Sequence, residues 1–269
     1  MPAPLGVISI TVLLAACAGG TASPPADTAD ATTSGASATS SASAEPTDDD
    51  AHSSQEPSTA TVCPNPHGGA CLGELGAGTY STQVFHTALD YTVDDGWANF
   101  EDMSGNFLLV PPTGSLEGVD AGTSDYVSVL DGIAVASADC VEEPQSDVDR
   151  TPAAMAAWFV AHPGLETTEP AAVTVGGLDG MLVDLWLADD YSGTCPYAEP
   201  EGAPIVPMIT GVGPAGVHHV AAGEIVTRLY LLAGQRGRVL AIEVSDVPGG
   251  ADLEELDAVV DDFVFSIQS

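Results

Sequence analysis

The sequence predicts an α+β fold for residues 62–269, a mainly antiparallel sheet with two helices packed against it. From residue 72 onward, segments rich in β-branched and aromatic residues alternate with Gly, Pro and Asp turn signals. Two further segments carry the start and stop signals of helices. Elements in this order favour a layer of helices against one sheet. In front of this single domain we expect a signal peptide and a disordered linker.

The strands are predicted at residues 79–85, 89–93, 106–110, 126–136, 172–175, 181–187, 224–232, 238–244 and 264–267. The Asp-Asp-Gly sequence at 94–96 is typical of a turn. Asp131 and Gly132 interrupt the alternation of the fourth segment, which favours a hairpin or a bulge there. Residues 234–237 (Gly-Gln-Arg-Gly) predict a hairpin between the two long C-terminal strands.

Capping and stop residues in the sequence predict both helices. Thr151 is suited to cap the first helix and Pro152 to occupy its first turn, and the His-Pro-Gly sequence at 162–164 stops it. We expect Trp158 and Phe159 of this helix to pack on the sheet. The second helix opens with a capping-box sequence at 252–255 and carries apolar residues on one face: Leu253, Leu256, Val260 and Phe263.

The N-terminal segment has the features of an export signal. Residues 5–16 form one apolar run, shorter than the roughly 20 residues of a membrane-spanning helix. The run ends in Leu14-Ala15-Ala16-Cys17, which resembles the lipobox of bacterial lipoproteins of the actinobacterial type. The resemblance implies that 1–16 is a lipoprotein signal peptide and that Cys17 carries the lipid. The lipid would anchor the protein to the extracytoplasmic face of the cell membrane. The first four residues contain no Lys or Arg, which departs from the usual pattern.

Residues 17–61, from the lipidated cysteine onward, predict a disordered linker. Ser, Thr, Ala, Pro and Asp dominate this segment, and it contains no aromatic residue. Such a composition cannot bury enough apolar surface to offset the entropy of ordering. A flexible chain of this length spans roughly 35–40 Å, enough to hold a domain clear of the lipid headgroups.

The charge balance limits the partners. Four Lys and Arg residues stand against 39 Asp and Glu residues, for a net charge of −35. Nucleic acid is excluded as a partner, because phosphate binding needs a basic surface. Direct docking on an anionic lipid surface is disfavoured for the same reason. The acidity favours solubility outside the cell, or attraction of cations or a basic partner.

The five cysteines are Cys17, Cys63, Cys71, Cys140 and Cys195. If Cys17 is lipidated, an even number remains in an oxidising compartment, which favours two disulfides. We predict the pairs Cys63–Cys71, closing a short loop rich in Pro and Gly, and Cys140–Cys195, joining two loops of the domain. Alternatively, Cys63, His67 and Cys71 could bind a metal ion, since these residue types suit zinc or copper.

Three short motifs suggest a family for the domain: Gly96-Trp97 after a strand, residues 173–177 (VTVGG) leading into a strand, and a terminal hairpin and helix followed by residues 263–265 (FVF). Together they resemble the PsbP/Mog1-like fold, to which actinobacterial lipoproteins of the LpqN kind are similar. The likeness covers about residues 79–268. It implies a domain that binds partners, and it assigns no catalytic residues.

Catalytic motifs are not found in the sequence. It lacks a Gly-x-Ser-x-Gly turn, a Walker phosphate loop and a His-Glu-x-x-His helix. The best candidate metal ligands are His218, His219 and Glu224. Adjacent strand residues point to opposite faces, so the two histidines could chelate together only from a loop. The acidic loop at 188–195 is a second candidate for cation binding.

These observations predict a non-enzymatic envelope lipoprotein whose acidic domain binds a partner or small ligand, without a cofactor. Its expected partners are the membrane, through the lipid anchor, and an envelope protein or small molecule. Two alternatives remain open: a cell-envelope hydrolase of unfamiliar type and a metal-binding envelope lipoprotein.

Overall fold

The computed structural model describes residues 73–120, 122–141, 143–198, 200–212 and 218–266. The predicted signal peptide (1–16), the linker (17–61) and the predicted Cys63–Cys71 pair lie outside the described residues. Within them the elements are, in chain order, β1 (Gly73–Glu74), β2 (Gly78–Ser81), β3 (Leu89–Val93), β4 (Ala98–Asp102), β5 (Asn106–Val110), α1 (Leu116–Asp120), β6 (Tyr126–Val135), α2 (Pro152–Ala161), β7 (Leu165–Thr167), β8 (Ala171–Val175), β9 (Leu178–Leu187), β10 (Ile205–Gly211), β11 (His218–Ala222), β12 (Val226–Ala233), β13 (Val239–Asp246), α3 (Leu253–Asp261) and β14 (Val264–Phe265).

The strands form one large sheet and one small sheet, and every pairing is antiparallel. The large sheet has the order β1-β4-β5-β6-β13-β12-β9-β7, with β8 also on β9 and with β10 joining β6 to β11. The small sheet has the order β14-β3-β2. The fold is therefore mainly antiparallel sheet with helices, as the sequence predicts. Its described part has three helices instead of two, because the short α1 lacks the length and periodicity that a sequence pattern requires.

The large sheet is buried on both faces, because its central strands alternate between two apolar cores. One core, which we call the α2 face, lies under α2 and strands β10 and β11, and includes Leu229, Leu231 and Ala241. The other, the α3 face, lies under α3 and the small sheet, and includes Tyr230, Leu232 and Ile242. Consecutive residues of β12 and β13 therefore point alternately to the two cores, because side chains alternate between the two faces of a strand.

A bulge in β6 interrupts its pairing with β13 at Gly132. Val239 lies opposite Ile133 and Leu240 opposite Asp131, so Gly132 has no cross-strand partner on β13. Gly132 has a φ of 77°, which glycine adopts at little cost. Of the two predicted alternatives, the structure has the bulge and not the hairpin. The end of β6 then pairs with β10, which begins the layer over the α2 face.

The predicted strand at 79–85 ends early, at Ser81. The carboxylate of Asp102 accepts backbone hydrogen bonds from Gln83 at 2.7 Å, Val84 at 3.2 Å and Phe85 at 2.9 Å. These bonds hold the chain in a turn, because one acceptor can serve three successive N–H groups only if the backbone curls around it. The β-rich composition of the segment is overridden by this distant carboxylate.

Helix α2 begins and ends where the sequence predicts. The Thr151 side chain accepts a hydrogen bond from the Ala154 N–H at 3.3 Å, and the chain leaves the helix at His162. Phe159 is fully buried in the α2 face, and Trp158 packs against the edge of the same core. Both residues therefore pack on the sheet as predicted.

We expect Thr151→Ala to lower the free energy of unfolding by about 1 kcal/mol, because the N-terminal N–H groups of α2 lose their side-chain acceptor. Urea unfolding followed by tryptophan fluorescence measures the change. Thr151→Asp restores an acceptor at the cap and should stay close to the wild type. Equal losses for the two variants would contradict the capping role.

Helix α3 is fixed to the large sheet by an arginine. Its N-terminus is capped by Asp252, whose side chain accepts from the Glu255 N–H at 2.9 Å, as the capping-box sequence predicts. Arg228 of β12 contacts Asp257 of α3 at 2.6 Å and Asp184 of β9 at 2.7 Å. One of the four arginines in this acidic chain thus joins two strands and a helix.

Candidate functional site

A cleft of about 490 Å³ opens between the α2 face of the large sheet and the β11 layer. The β11 layer consists of strands β10 and β11, which lie over that face. Its floor is formed by polar side chains of β6, β12 and β13: Tyr126, Thr227, Glu243 and Ser245. Apolar and aromatic side chains form most of its walls: Phe100, Leu108, Tyr197, Ile205, Val220 and Ile225. An apolar enclosure around a few polar groups is the usual form of a small-molecule site.

A buried ion pair lies at the floor of the cleft. Glu243 is only 2% exposed, because it occupies an α2-face position of the central strand β13. Its Oε2 is 2.6 Å from Nδ1 of His219 on β11, and its Oε1 accepts a hydrogen bond from the Tyr126 hydroxyl at 2.8 Å. A buried carboxylate is costly unless it is paired and hydrogen-bonded, and this pairing supplies both. It also fixes the β11 layer to the sheet.

The surroundings shift the pKa values of His219, Glu243 and Tyr126. Burial disfavours charged His219, but the attraction and hydrogen bond of Glu243, with a contribution from Glu101, outweigh burial and raise the pKa of His219. Burial acts to raise the pKa of Glu243, but His219 and the Tyr126 hydroxyl outweigh it and lower this pKa. The pKa of Tyr126 is raised by burial and by the neighbouring Glu243 carboxylate. The pairing therefore favours the imidazolium and the carboxylate forms.

The pairing of the strands that form the floor shows which face of the sheet carries a further polar side chain. Ser128 of β6 lies opposite both Glu243 of β13 and Leu108 of β5, so its side chain is on the α2 face. At the β4 edge, the Asn106 amide donates to the Glu101 carboxylate. Within the described part of the chain, the buried Ser128 Oγ and Asn106 Oδ1 have no hydrogen-bond partner. Such groups are uncommon in protein interiors. Asn106 lines the cleft and is a candidate for contact with a ligand, whereas Ser128 is buried beneath the lining residues.

Of the predicted metal ligands, the described side chains are those of His219 and Glu224, and they have different surroundings. His218 and His219 are consecutive residues of the regular strand β11, and Glu224 is exposed in the turn that follows. The His219 side chain instead contacts Glu243, which the sequence analysis missed. Among the residues with described positions, no group of three or more His, Cys, Asp or Glu side chains is arranged to hold a metal ion. The only signal for Glu243 in the sequence is a carboxylate inside an otherwise apolar strand.

The predicted disulfide Cys140–Cys195 is present, with the two Cα atoms 5.5 Å apart. It joins the loop after β6 to the loop before β10. Cys195 belongs to a small apolar cluster that includes Tyr197 and Val220. Because these two side chains also form a wall of the cleft, the disulfide braces that wall.

A second, smaller cavity of about 380 Å³ lies between α3 and the ends of β3 and β5. Trp97 and Pro111 supply apolar surface there, and its ionisable groups, Asp94, Glu255 and Asp262, are exposed. Exposed carboxylates are well solvated and contribute little orientation to a ligand. The cleft with the buried ion pair is therefore the stronger candidate site.

We expect the stability contributed by the His219–Glu243 pair to depend on pH. The contribution of protonated His219 is present below about pH 6.5 and is lost as the pH rises through its higher folded-state pKa. The contribution of ionised Glu243 is present above about pH 4.5 and is lost as the pH falls through its lower folded-state pKa. The difference in unfolding free energy between the wild type and His219→Gln should therefore be largest between about pH 4.5 and 6.5.

Urea unfolding of both proteins from pH 4 to 9 measures this difference. Comparing two proteins at each pH cancels the effect of the large net charge. In a Glu243→Gln background, His219→Gln should no longer show the maximum. A difference that does not change with pH would contradict the ion pair.

In the described residues, no helix is long and apolar enough to cross a membrane.

No protein-family model and no curated protein matches the chain. Among solved structures, the chain is similar to a crystal structure from Bacteroides thetaiotaomicron VPI-5482, with 12% identity and a TM-score of 0.29 over 67% of this chain and 46% of that chain. The chain therefore spans less than half the length of that protein, and a similarity this low does not define a shared fold.

Proposed function

We propose that this chain is a lipid-anchored, extracytoplasmic binding protein that holds a small ligand in the cleft above Glu243 and is not an enzyme. The observation that carries the proposal is a buried carboxylate with two fixed partners at the floor of a cleft that has both polar and apolar lining. A few fixed polar groups in a cleft are what orients a small ligand and provides specificity. The resemblance of residues 79–268 to the PsbP/Mog1-like fold supports the same function.

The ion pair suits recognition better than catalysis. A general base near neutral pH needs a pKa close to the working pH and a free lone pair facing the substrate. His219 directs Nδ1 to Glu243 and has a raised pKa, so the charged form is favoured. Glu243 already accepts contacts at both of its oxygens. The raised pKa of His219 favours the imidazolium, in which Nε2 also carries a proton and has no free lone pair, and this favours a fixed pattern of charge over proton transfer.

The anchor is proposed from the sequence at residues 1–17. We expect Cys17→Ser to abolish labelling with radioactive palmitate and to move the protein from the membrane fraction to the soluble fraction, because the thiol is the acceptor of the lipid. Cys63→Ser removes a cysteine beyond the linker and should keep both the label and the membrane location. Unchanged membrane association of Cys17→Ser would refute the anchor.

Occupation of the cleft is tested by native mass spectrometry of the full-length protein released gently from membranes. We expect an additional small mass on the wild type. Val220→Trp should remove it, because Val220 lies on the wall and the larger ring fills the cleft. Val264→Trp is the matched control, since this valine is 55% exposed on β14. The same additional mass on both variants would place the ligand elsewhere.

A further inference from the structure

The ionisable groups around the cleft give it a negative charge. They come from five segments: Glu101 on β4, Tyr126 on β6, Tyr197 in the disulfide loop, His219 on β11 and Glu243 on β13. Among the described residues that line the cleft, none is a Lys or Arg. Among these described side chains, two carboxylates lie with one imidazole, and the protein as a whole carries −35.

The polar edge of the cleft presents hydrogen-bond acceptors. The Asn106 amide nitrogen donates to Glu101, and this bond fixes the orientation of the side chain, since the reverse orientation would place two oxygens together. Asn106 Oδ1 is buried and has no donor among the described residues. A ligand that supplies N–H groups at this edge would satisfy Asn106 Oδ1 and contact the Glu101 carboxylate.

Three aromatic side chains line the cleft: Tyr126 in its floor, and Phe100 and Tyr197 in its walls. The faces of aromatic rings attract cations, and the attraction grows when the cation is removed from water. The remaining wall residues are aliphatic, so the cleft also offers apolar surface to the body of a ligand.

We propose that the cleft binds a small organic cation, a protonated amine with an apolar body, whose ammonium group lies between the Glu101 carboxylate and Asn106 Oδ1. This inference rests on the proposed binding function and names its ligand class. The ammonium N–H groups donate to the two acceptors, and the apolar body lies against the wall formed by Leu108 and Val220. Anionic ligands are excluded by the two carboxylates and by the net charge of the chain.

The proposal is tested by isothermal titration of the full-length protein in neutral detergent micelles with three probes of similar size. We expect phenethylammonium to bind on the order of tenfold or more tightly than the neutral 2-phenylethanol, because a hydrogen bond to a charged group is worth at least one factor of ten. We expect no binding of 3-phenylpropanoate. Val220→Trp should abolish the binding of phenethylammonium.

The variant Glu101→Gln should weaken phenethylammonium on the order of tenfold and leave 2-phenylethanol unchanged. Glu254→Gln is the matched control, because it makes the same chemical change at an exposed position of α3, on the α3-face side of the sheet. Empty micelles titrated with each probe correct for partition into detergent.

The outcomes separate this inference from the proposed function. If 2-phenylethanol binds as tightly as phenethylammonium and both are lost in Val220→Trp, the cleft is a binding site but the cation preference is refuted. If phenethylammonium binds without sensitivity to Glu101→Gln or Val220→Trp, its site lies elsewhere and the inference fails. If no probe binds, the inference also fails, and the mass-spectrometric test still decides the proposed function.

Discussion

Replacing Glu243 with alanine is expected to lower the free energy of unfolding by about 3–5 kcal/mol, the usual cost of removing one partner of a buried ion pair. The change leaves His219 Nδ1 and the Tyr126 hydroxyl without their acceptor beneath the β11 layer. His219 must then lose its proton or draw water into the core. Urea unfolding at pH 6, followed by far-ultraviolet circular dichroism, measures the loss.

The control for this change is Glu224→Ala. It removes the same side chain from an exposed turn and should change stability by less than about 0.5 kcal/mol. Replacing Glu243 and His219 together with leucine should recover much of the loss, because two well-packed apolar side chains can substitute for a buried ion pair. If Glu243→Ala is as harmless as Glu224→Ala, the ion pair does not hold the β11 layer.

Removing the Cys140–Cys195 disulfide is expected to cost roughly 4 kcal/mol, from the entropy of closing a loop between residues 55 positions apart. The double variant Cys140→Ala with Cys195→Ala leaves the loops free in the unfolded chain. The wall of the cleft should also loosen, because Tyr197 and Val220 pack in the cluster around Cys195. Thermal unfolding measures the first effect, and ligand occupancy by native mass spectrometry measures the second.

The matched control is Cys63→Ala with Cys71→Ala. These cysteines are close in sequence, so their predicted disulfide closes a short loop and its removal should cost less. Peptide mapping under non-reducing conditions identifies the pairs directly. A Cys140 peptide joined to Cys63 or Cys71 would refute the observed pairing, and equal losses for the two double variants would refute the role of loop length.

Local chemistry in the sequence was sufficient for several elements. Strands β3 and β5 begin and end at the predicted residues, because turn residues flank short β-rich segments. Helix α2 follows from Thr151, Pro152 and the His-Pro-Gly stop. The disulfide between Cys140 and Cys195 followed from the location of two loops between strands. The strand and helix predictions depend on residues that act on their immediate neighbours in the chain, whereas the disulfide joins residues 55 positions apart.

Strands β10 and β11 were missed because their local signals are weak. β10 contains Pro207, and almost all of its residues are buried, so the alternation typical of a half-exposed strand is lost. β11 begins with two polar histidines. Both strands exist because β6 bends at Gly132 and offers β10 an edge, which is a property of the assembled sheet.

The sequence by itself determined the mainly antiparallel class, both ends of α2, the start of α3 and the acidity of the chain, because these depend on composition and on neighbouring residues. The site was decided only by tertiary structure. Tyr126 and Glu243 are 117 positions apart, and their contact depends on the register of β6 against β13. A shift of one residue would turn Glu243 to the α3 face, away from Tyr126 and His219. The pairing of distant strands therefore creates the cleft and its charge.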